Sequence, residues 1–508
     1  MADILAGLDI GTSGVKVGVV DAEGHLLGLG RAAHENDTPH PGWVQCPAER
    51  WWQGAVASLR EACAQARVQP ADIRAVGVSV LFPCIVPLDR DARALYPAIL
   101  YCDRRSIAQA DGIQAMIPRE RYEATIGNVL VPGTCAVTSL AWLRDDQPEV
   151  YEKAHCFGFA NTAITARLTG EFCADPSMVA LSGLVDMRDP WRWNTDLCER
   201  LGIDADRLPR VAGAAEVIGA VTRAAAEATG LRQGTPVVCG CGDVPASALG
   251  VGAAEPSTVV YVAGSTDCVA VPTRAPTADR RWVNAAYVPR GMWLPIGTTT
   301  SSGVSVEWFV REVLGRAGSD GLLAMTELAA GAPLGSGRLL FLPYLQGERT
   351  PIWDPRARGM FFGLSSTTTR GELARAVFEG TAFGLRQVIE CLESILGCPV
   401  AEIRAVGGGT RNALWNQIKA DVLCKRLAVL EFQETSALGA ALLAGIGIGL
   451  YKSFEAAAAL ARSCNRARPV DPEPSRAAQY HKLYSLFKEL YPATRHLAHA
   501  LSADTAAR

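Results

Sequence analysis

Leu5-Ala6-Gly7-Leu8-Asp9-Ile10-Gly11-Thr12-Ser13-Gly14-Val15-Lys16-Val17-Gly18-Val19-Val20 opens the chain with a strand, a tight turn and a second strand. The strands fall at 5–9 and 15–20, and the turn is made of glycines and small hydroxyl residues. Asp21-Ala22-Glu23-Gly24 then turns the chain into a third strand that runs through Gly30. About 250 residues later the pattern returns, with strands at 258–262 and 268–271 around Gly264-Ser265-Thr266-Asp267. The repeat is too degenerate to appear as identity. Its physical meaning is two α/β lobes, each offering a backbone-rich hairpin turn to a cleft. Small residues and Pro256 mark a boundary between lobes of residues 1–252 and 253–508.

Working outward, periodic apolar positions predict helices over 48–67 and 104–116, with a β-rich stretch at 73–88 between them. In the second half a long helix is expected at 372–396, a short strand at 403–406, and a helix at 412–425. The uncharged, glycine-rich run between Glu434 and Lys452 is short for a membrane span and reads as a buried helix. The Ala-rich tail after Tyr491 is expected to fray.

Composition bounds the function. Of 508 residues, 49% are apolar and 20% charged, which supplies large cores and excludes general disorder. Lys and Arg number 49 against 52 Asp and Glu, a formal charge of −3. That balance gives no footprint for nucleic acid or an acidic membrane surface. The 15 cysteines are scattered, and Cys239-x-Cys241 lacks a second pair at zinc-site spacing, so free thiols in a reducing cytosol are expected. The start of the chain lacks the basic region of a signal peptide, and a cytoplasmic location follows.

Four segments carry chemistry. In Asp9-x-Gly11-Thr12-Ser13-Gly14-x-Lys16, glycine lets backbone approach a phosphate, while hydroxyls and amides donate to its oxygens. Asp9, at a strand end, could hold a hydrated Mg²⁺. A polar hairpin turn is the plain alternative. The segment is neither a Walker loop nor a Rossmann fingerprint. Gly264-Ser265-Thr266 repeats the same logic. Asp243, in Gly240-Cys241-Gly242-Asp243 after an apolar strand, suits a general base or, equally, a helix cap before Val244-Pro245. The Gly407-Gly408-Gly409-Thr410 loop could seat an adenosine or simply make a tight strand-to-helix turn.

Together these segments resemble the FGGY carbohydrate kinases of the actin/hexokinase/heat-shock-chaperone ATPase superfamily. Gly359-Met360-Phe361-Phe362-Gly363-Leu364, followed after seven residues by Glu372-Leu373-Ala374-Arg375-Ala376-Val377-Phe378-Glu379, is similar to the second family signature. Phe341-Leu342-Pro343-Tyr344-Leu345 with Gly347-Glu348-Arg349-Thr350-Pro351 resembles the xylulokinase form. Pro41-Gly42-Trp43, Glu49 and Trp51-Trp52 resemble an N-terminal element. The resemblance implies a two-lobed α/β ATPase fold with ribonuclease H-like lobes, and ATP with Mg²⁺ in the cleft between them. It implies phosphoryl transfer from ATP to a hydroxyl of a pentulose-like sugar or related polyol. Asp243 matches the catalytic base and Asp9 the carboxylate near Mg²⁺. Gly11, Thr12 and Ser13 match the first phosphate turn, and Gly264, Ser265 and Thr266 the second. Gly303 falls where the nucleotide site continues, and Gly408, Gly409 and Asn412 match the adenosine segment. The second signature itself is expected to be structural.

The substrate side departs from the family. Val80-Leu81-Phe82-Pro83-Cys84 stands where xylulokinases carry Gly-Gln-Met-His-Gly, and the Gln-Arg-Glu-Thr of glycerol kinases is absent too. Val244 follows the base where both groups have a polar residue. An apolar wall at Phe82 and Pro83 leaves sugar hydroxyls unpaired, at roughly 1–3 kcal/mol each. A deoxy sugar, a smaller polyol or a differently oriented ketose fits it better than xylulose. Tyr101, Asp103 and Arg105 are the remaining polar candidates for substrate contact, with an ion pair supporting the cleft as the alternative. A small-molecule partner, no nucleic acid, no membrane and a base-rate homodimer complete the expectation. The rival from another class is a non-catalytic, nucleotide-dependent sugar sensor on the same fold.

Overall fold

A computed structural model describes residues 3–400 and 402–503. The chain forms two compact units with interleaved segments. Unit 1 takes the residues up to 255 with 272–295 and 434–465, and unit 2 takes 256–271, 296–433 and the residues from 466 on. A single cut between 252 and 253 therefore does not separate them.

In unit 1, β1 (Ile4–Ile10), β2 (Gly14–Val20) and β3 (Leu26–Ala33) form an antiparallel meander. Helix α1 (Ala48–Ala66) follows, and β4 (Ile73–Val80) returns parallel to β1. The sheet continues through β5 (Val217–Ala220) and β6 (Pro236–Val238), in the order β5-β6-β4-β1-β2-β3. A short helix α2 (Pro176–Ala180) precedes β5 in the chain. The two-residue strand β7 (Cys241–Gly242) pairs parallel with the end of β4 and leads into α3 (Asp243–Val251).

Unit 2 repeats the arrangement. β8 (Thr258–Ala263) and β9 (Asp267–Ala270) make the expected hairpin, and residues 296–298 pair antiparallel with 268–270. After the long α4 (Arg370–Leu396), β10 (Glu402–Val406) lies parallel to β8. Helix α5 (Ala413–Leu423) then leads to β11 (Arg426–Leu430), parallel to β10. Each unit thus has three antiparallel strands with a parallel strand added beside the first. The degenerate sequence repeat is a repeat of topology.

Helix α6 (Thr435–Gly447), the uncharged run, belongs to unit 1. A Cβ on Gly7 of β1 would overlap the Ala437 carbonyl, and one on Gly77 of β4 would overlap that of Ala440. On β3, side chains at Gly28 and Gly30 would overlap backbone of α1 at Ala62 and Ser58. Side chains alternate faces along a strand, so α1 and α6 cover opposite faces of the sheet through glycine strips. α6 also meets α3 backbone to backbone. Gly439 has no room for a Cβ against the Ala246 carbonyl, nor Gly250 against that of Thr435, and the Ser247 and Thr435 hydroxyls bond at 2.7 Å.

As far as residue 503 the tail does not fray as the sequence suggested, and residues 504–508 lie outside the described residues. Helix α7 (Pro474–Ala503) runs through it. Tyr491 donates to Asp354 Oδ2 at 2.5 Å and His499 Nε2 lies 2.5 Å from the same oxygen. Burial alone would raise the Asp354 pKa, but these bonds, the Arg356 amide and the His499 charge hold it at about 2. Side chains of the second signature are tied into the core. Arg375 bonds Glu379 at 2.7 Å and the Tyr480 hydroxyl of α7 at 3.0 Å, while Glu379 also accepts from Ser336 and Tyr480. All 15 cysteines are free, and among the described residues no helix is long and apolar enough to cross a membrane.

The α3–α6 contact yields a direct test. Gly439→Ala should destabilise by about 3 kcal/mol, the upper end of overpacking, because the obstructing atoms are backbone and cannot rotate away. Gly112→Ala, in the helix Ile107–Met116 with open space around its Cβ, should stabilise by up to ~1 kcal/mol. Urea unfolding measures both. Equal behaviour of the two variants would remove the close contact as a constraint.

Candidate functional site

In unit 1 the site forms at the carboxyl ends of parallel strands, where α/β sheets bind ligands. Asp9 of β1 lies in register with Ser79 of β4, and Ser79 with Cys241 of β7. Ser79 donates to Asp9 Oδ1 at 2.9 Å, a contact that sequence reading missed. Only the pairing of β1 with β4 reveals it. Asp9 is 7% exposed, and burial pushes its pKa to about 6 against the opposing Lys16 charge and the Ser79 bond. Lys16 is engaged elsewhere. Its ammonium lies 2.7 Å from Glu434 Oε2, and Arg31 takes the other oxygen of Glu434 at 2.7 Å.

Asp243 begins α3, two residues past Cys241. The cap position belongs to Gly242, and no side-chain cap bond is made there, so Asp243 is not the helix cap. It is half-buried. Burial and then the Asp9 charge push its pKa to about 7, opposed by the Val244 amide and its own. Phe82 stands beside this junction. A Cβ on Gly242 would come within 2.8 Å of the Phe82 ring, which explains the glycine, and Pro83 is buried. In the first turn the Gly11 amide donates to Gly14 at 2.9 Å. The Ser13 and Thr12 carbonyls accept from the His34 amide and Asn36 side chain. The Thr12 and Ser13 hydroxyls take no part in that bonding.

Of the two readings the sequence leaves open for Asp103 and Arg105, substrate contact or a supporting ion pair, the structure shows the ion pair. Both side chains are 0% exposed. Arg105 Nε lies 3.0 Å from both Asp103 oxygens, and its other nitrogens reach Asp103, Gln45 and Tyr96. Its guanidinium stacks 3.9 Å from the Trp43 ring centroid, with Trp142 at 4.9 Å. Asp103 also accepts from the Val44 amide at 2.6 Å. The pair is a saturated buried clamp. Tyr101 is half-buried, and its carbonyl accepts from Arg104 at 3.2 Å.

In unit 2 the remaining candidates converge on the end of β8. The Gly264 amide donates to Thr266 at 3.0 Å, and the Val304 amide to Ser265 at 3.0 Å. Gly303 has no space for a Cβ against the Gly264 carbonyl. Gly407, with φ +98, packs against Ala263, the residue before Gly264, and donates to the Gln433 side chain at 2.6 Å. A Cβ on Gly408 would meet nothing within 4 Å, so this loop presents open backbone. Asn412 caps α5, accepting from the Trp415 amide at 3.0 Å and donating to Thr326 at 2.8 Å. Its side chain is committed to the scaffold. Asp267, the last residue of the turn, accepts from Tyr261 at 2.8 Å, and Lys419 and Glu348 are buried.

The unit 1 residues fit the cation of a bound nucleotide. Asp9 and Asp243 both carry pKa values raised by burial, and the nearest ammonium is tied to Glu434, so the electrostatics favour an added positive charge. No group of three or more His, Cys, Asp or Glu suited to a metal occurs among the described residues. Mg²⁺ suits this, since it keeps waters and phosphate oxygens and needs only one or two carboxylates. Asp9 is the unit 1 residue that would hold it, beside the turn at 11–13.

Similarity to known proteins runs the length of the chain. It is 28% identical over 499 residues to a xylulose kinase of Bacillus subtilis, covering 97% of this chain and 98% of that one. It is 30% identical over 490 residues to a glycerol kinase of Thermococcus gammatolerans, covering 93% and 95%. Among solved structures, xylulose kinase from Rhodospirillum rubrum superposes with a TM-score of 0.88 at 29% identity, covering 98% and 100%. The fold is the two-lobed α/β ATPase fold of the actin/hexokinase type. Residues 4–250 match the N-terminal domain model of the FGGY family of carbohydrate kinases and residues 259–448 the C-terminal one, and the chain belongs to that family.

Proposed function

We propose that this carbohydrate kinase phosphorylates a small, pentulose-sized sugar or polyol, with Asp243 as the base that takes the acceptor hydroxyl proton. The enzyme is a sugar or polyol kinase that uses ATP with Mg²⁺. The observation that carries the finer reading is the strand register Asp9–Ser79–Cys241, which supports placing Asp9 and Asp243 at neighbouring strand ends. Asp243 sits in the first turn of α3, where amides hold its carboxylate while burial makes it basic enough to accept a proton near neutral pH. Ser79 fixes the rotamer of Asp9. When bound, Mg²⁺ neutralises charge on the transferred phosphoryl group. In unit 1 the Thr12 and Ser13 hydroxyls, unused in the bonding of their own turn, donate to phosphate oxygens, a preorganised stabilisation that needs no reorganisation during transfer. Free thiols throughout the chain favour a reducing compartment, and we place the enzyme in the cytosol.

Phe82 is the feature we assign to substrate choice. Its ring lies against Gly242, next to the base, where a polar residue would otherwise satisfy a sugar hydroxyl. Relatives named xylulose kinase support an acceptor of pentulose size. The wall favours one with a hydroxyl missing or turned away on that face. In a panel of pentuloses, deoxy sugars and polyols, kcat/KM should peak with such an acceptor, and D-xylulose as the best of the panel would sink the assignment.

Asp243→Asn keeps the size of the side chain and removes the proton acceptor. The kcat should fall by about 10²–10⁴-fold with ATP affinity and thermal stability unchanged. In the wild type, kcat/KM for the acceptor should fall tenfold per pH unit below an apparent pKa near 7. The base must be ionised in the free enzyme, so protonation on the acid side removes it. That pKa belongs to the coupled Asp9–Asp243 pair rather than to one residue. Normal turnover by a stable Asp243→Asn enzyme refutes the base assignment.

A further inference from the structure

Unit 1 contains another buried carboxylate, one that the reaction above does not use. Asp175 is 2% exposed and caps α2, accepting from the Ser177 amide at 2.9 Å through Oδ2. Its Oδ1 is buried with no hydrogen-bond partner. Capping alone does not need a charge here, because Asn and Ser cap as well as Asp. Ser177 is 1% exposed, and its hydroxyl accepts from the Gly242 amide at 3.0 Å. Gly242, at φ −60 and ψ 156, is where β7 becomes α3, and the next residue is Asp243. Cys241 completes the link. Its thiol pKa is raised by burial first and then by the charges of both Asp175 and Asp243, so both carboxylates act on this one residue.

We propose that Asp175 and Ser177 are positioning residues for Asp243, holding the Gly242 amide so that α3 starts where the Asp243 carboxylate meets the acceptor hydroxyl. A buried hydroxyl left unused would cost free energy, and here its acceptor lone pair fixes the bend before the base. Burial pushes the Asp175 pKa to about 7, with the Ser177 hydroxyl and amide as the main opposing influences, so the two residues stabilise each other. Gly242 pairs with Val80 of β4 along the ladder, and the Ser177 hydroxyl adds a side-chain tie to its amide at the bend. The proposal rests on Asp243 being the base.

The test compares Ser177→Ala, Asp175→Asn, Asp243→Asn and the double variant Ser177→Ala/Asp243→Asn. Readouts are kcat, KM for ATP, KM for the fastest acceptor of the panel, and thermal melting. Misplacing a catalytic group by about 1 Å costs on the order of 10²-fold, so Ser177→Ala and Asp175→Asn should each lower kcat by about 10–100-fold. KM for ATP should stay within about twofold of wild type and the protein should remain folded. The double variant should be no slower than Asp243→Asn alone, because a residue acting only through the base adds nothing once the base is gone. With Asp243→Asn inactive, wild-type kcat in Ser177→Ala or a further tenfold loss in the double variant overturns the positioning role alone. Full activity in Asp243→Asn removes the base and this proposal together. Loss of the folded state in both Ser177→Ala and Asp175→Asn assigns the pair to stability and also overturns it.

Discussion

Backbone-to-backbone contact between α6 and the glycines of β1, β4 and α3 leaves no room for a β-carbon, and both carboxylates of the unit 1 site hang on elements held this way. Gly7 lies two residues before Asp9 on β1, and Gly77 two before Ser79 on β4. Gly250 lies on the helix that Asp243 begins. Close approach exchanges side-chain burial for dispersion between main chains and for rigidity, since nothing at the contact can change rotamer. The elements carrying Asp9, Ser79 and Asp243 are therefore fixed against one helix rather than against each other by long side chains. That suits a site whose groups must be placed within fractions of an ångström.

The hairpins were legible because glycine and small hydroxyl residues interrupt apolar strands, and a tight turn is the only local structure that permits this. The helix at 435–447 was legible as buried from its lack of charge, but its partner was not. Which unit it joins depends on glycines more than 180 residues away along the chain. The same limit left Asp103 and Arg105 open between substrate contact and ion pair. A Tyr-x-Asp-x-Arg segment looks identical whether its guanidinium faces a ligand or two tryptophans, and only Trp43 and Trp142, brought in from distant segments, decide it. Ser79 carried no signal of its partner, because Asp9 reaches it from a parallel neighbouring strand, and the bond from Gly242 to Ser177 joins residues 65 apart in the chain. The tail was misjudged because its alanines were weighed without the Tyr491 and His499 bonds to Asp354.

Electrostatically the unit 1 site is unbalanced by design of its surroundings. Asp9, Asp175 and Asp243 all lie where burial raises their pKa, while Lys16 and Arg31 are both committed to Glu434. A neutral-pH protein keeps such groups ionised only by supplying positive charge or hydrogen-bond donors, and here donors come from Ser79, Ser177 and first-turn amides. On the proposed reading the deficit is useful. It makes one carboxylate basic enough to accept a proton and leaves another attractive to a hydrated cation.

The interleaved chain path has a consequence for how the polypeptide acquires its structure. Unit 1 is assembled from three separated segments, the last of which ends at residue 465. A nascent chain of the first 255 residues therefore lacks α6, and the glycine strips of β1 and β4 face solvent or a chaperone until α6 has been made. Neither half released by a cut in the middle of the sequence is a complete folding unit. Synthesis from the ribosome therefore passes residue 465 before every segment of unit 1 is available to pack.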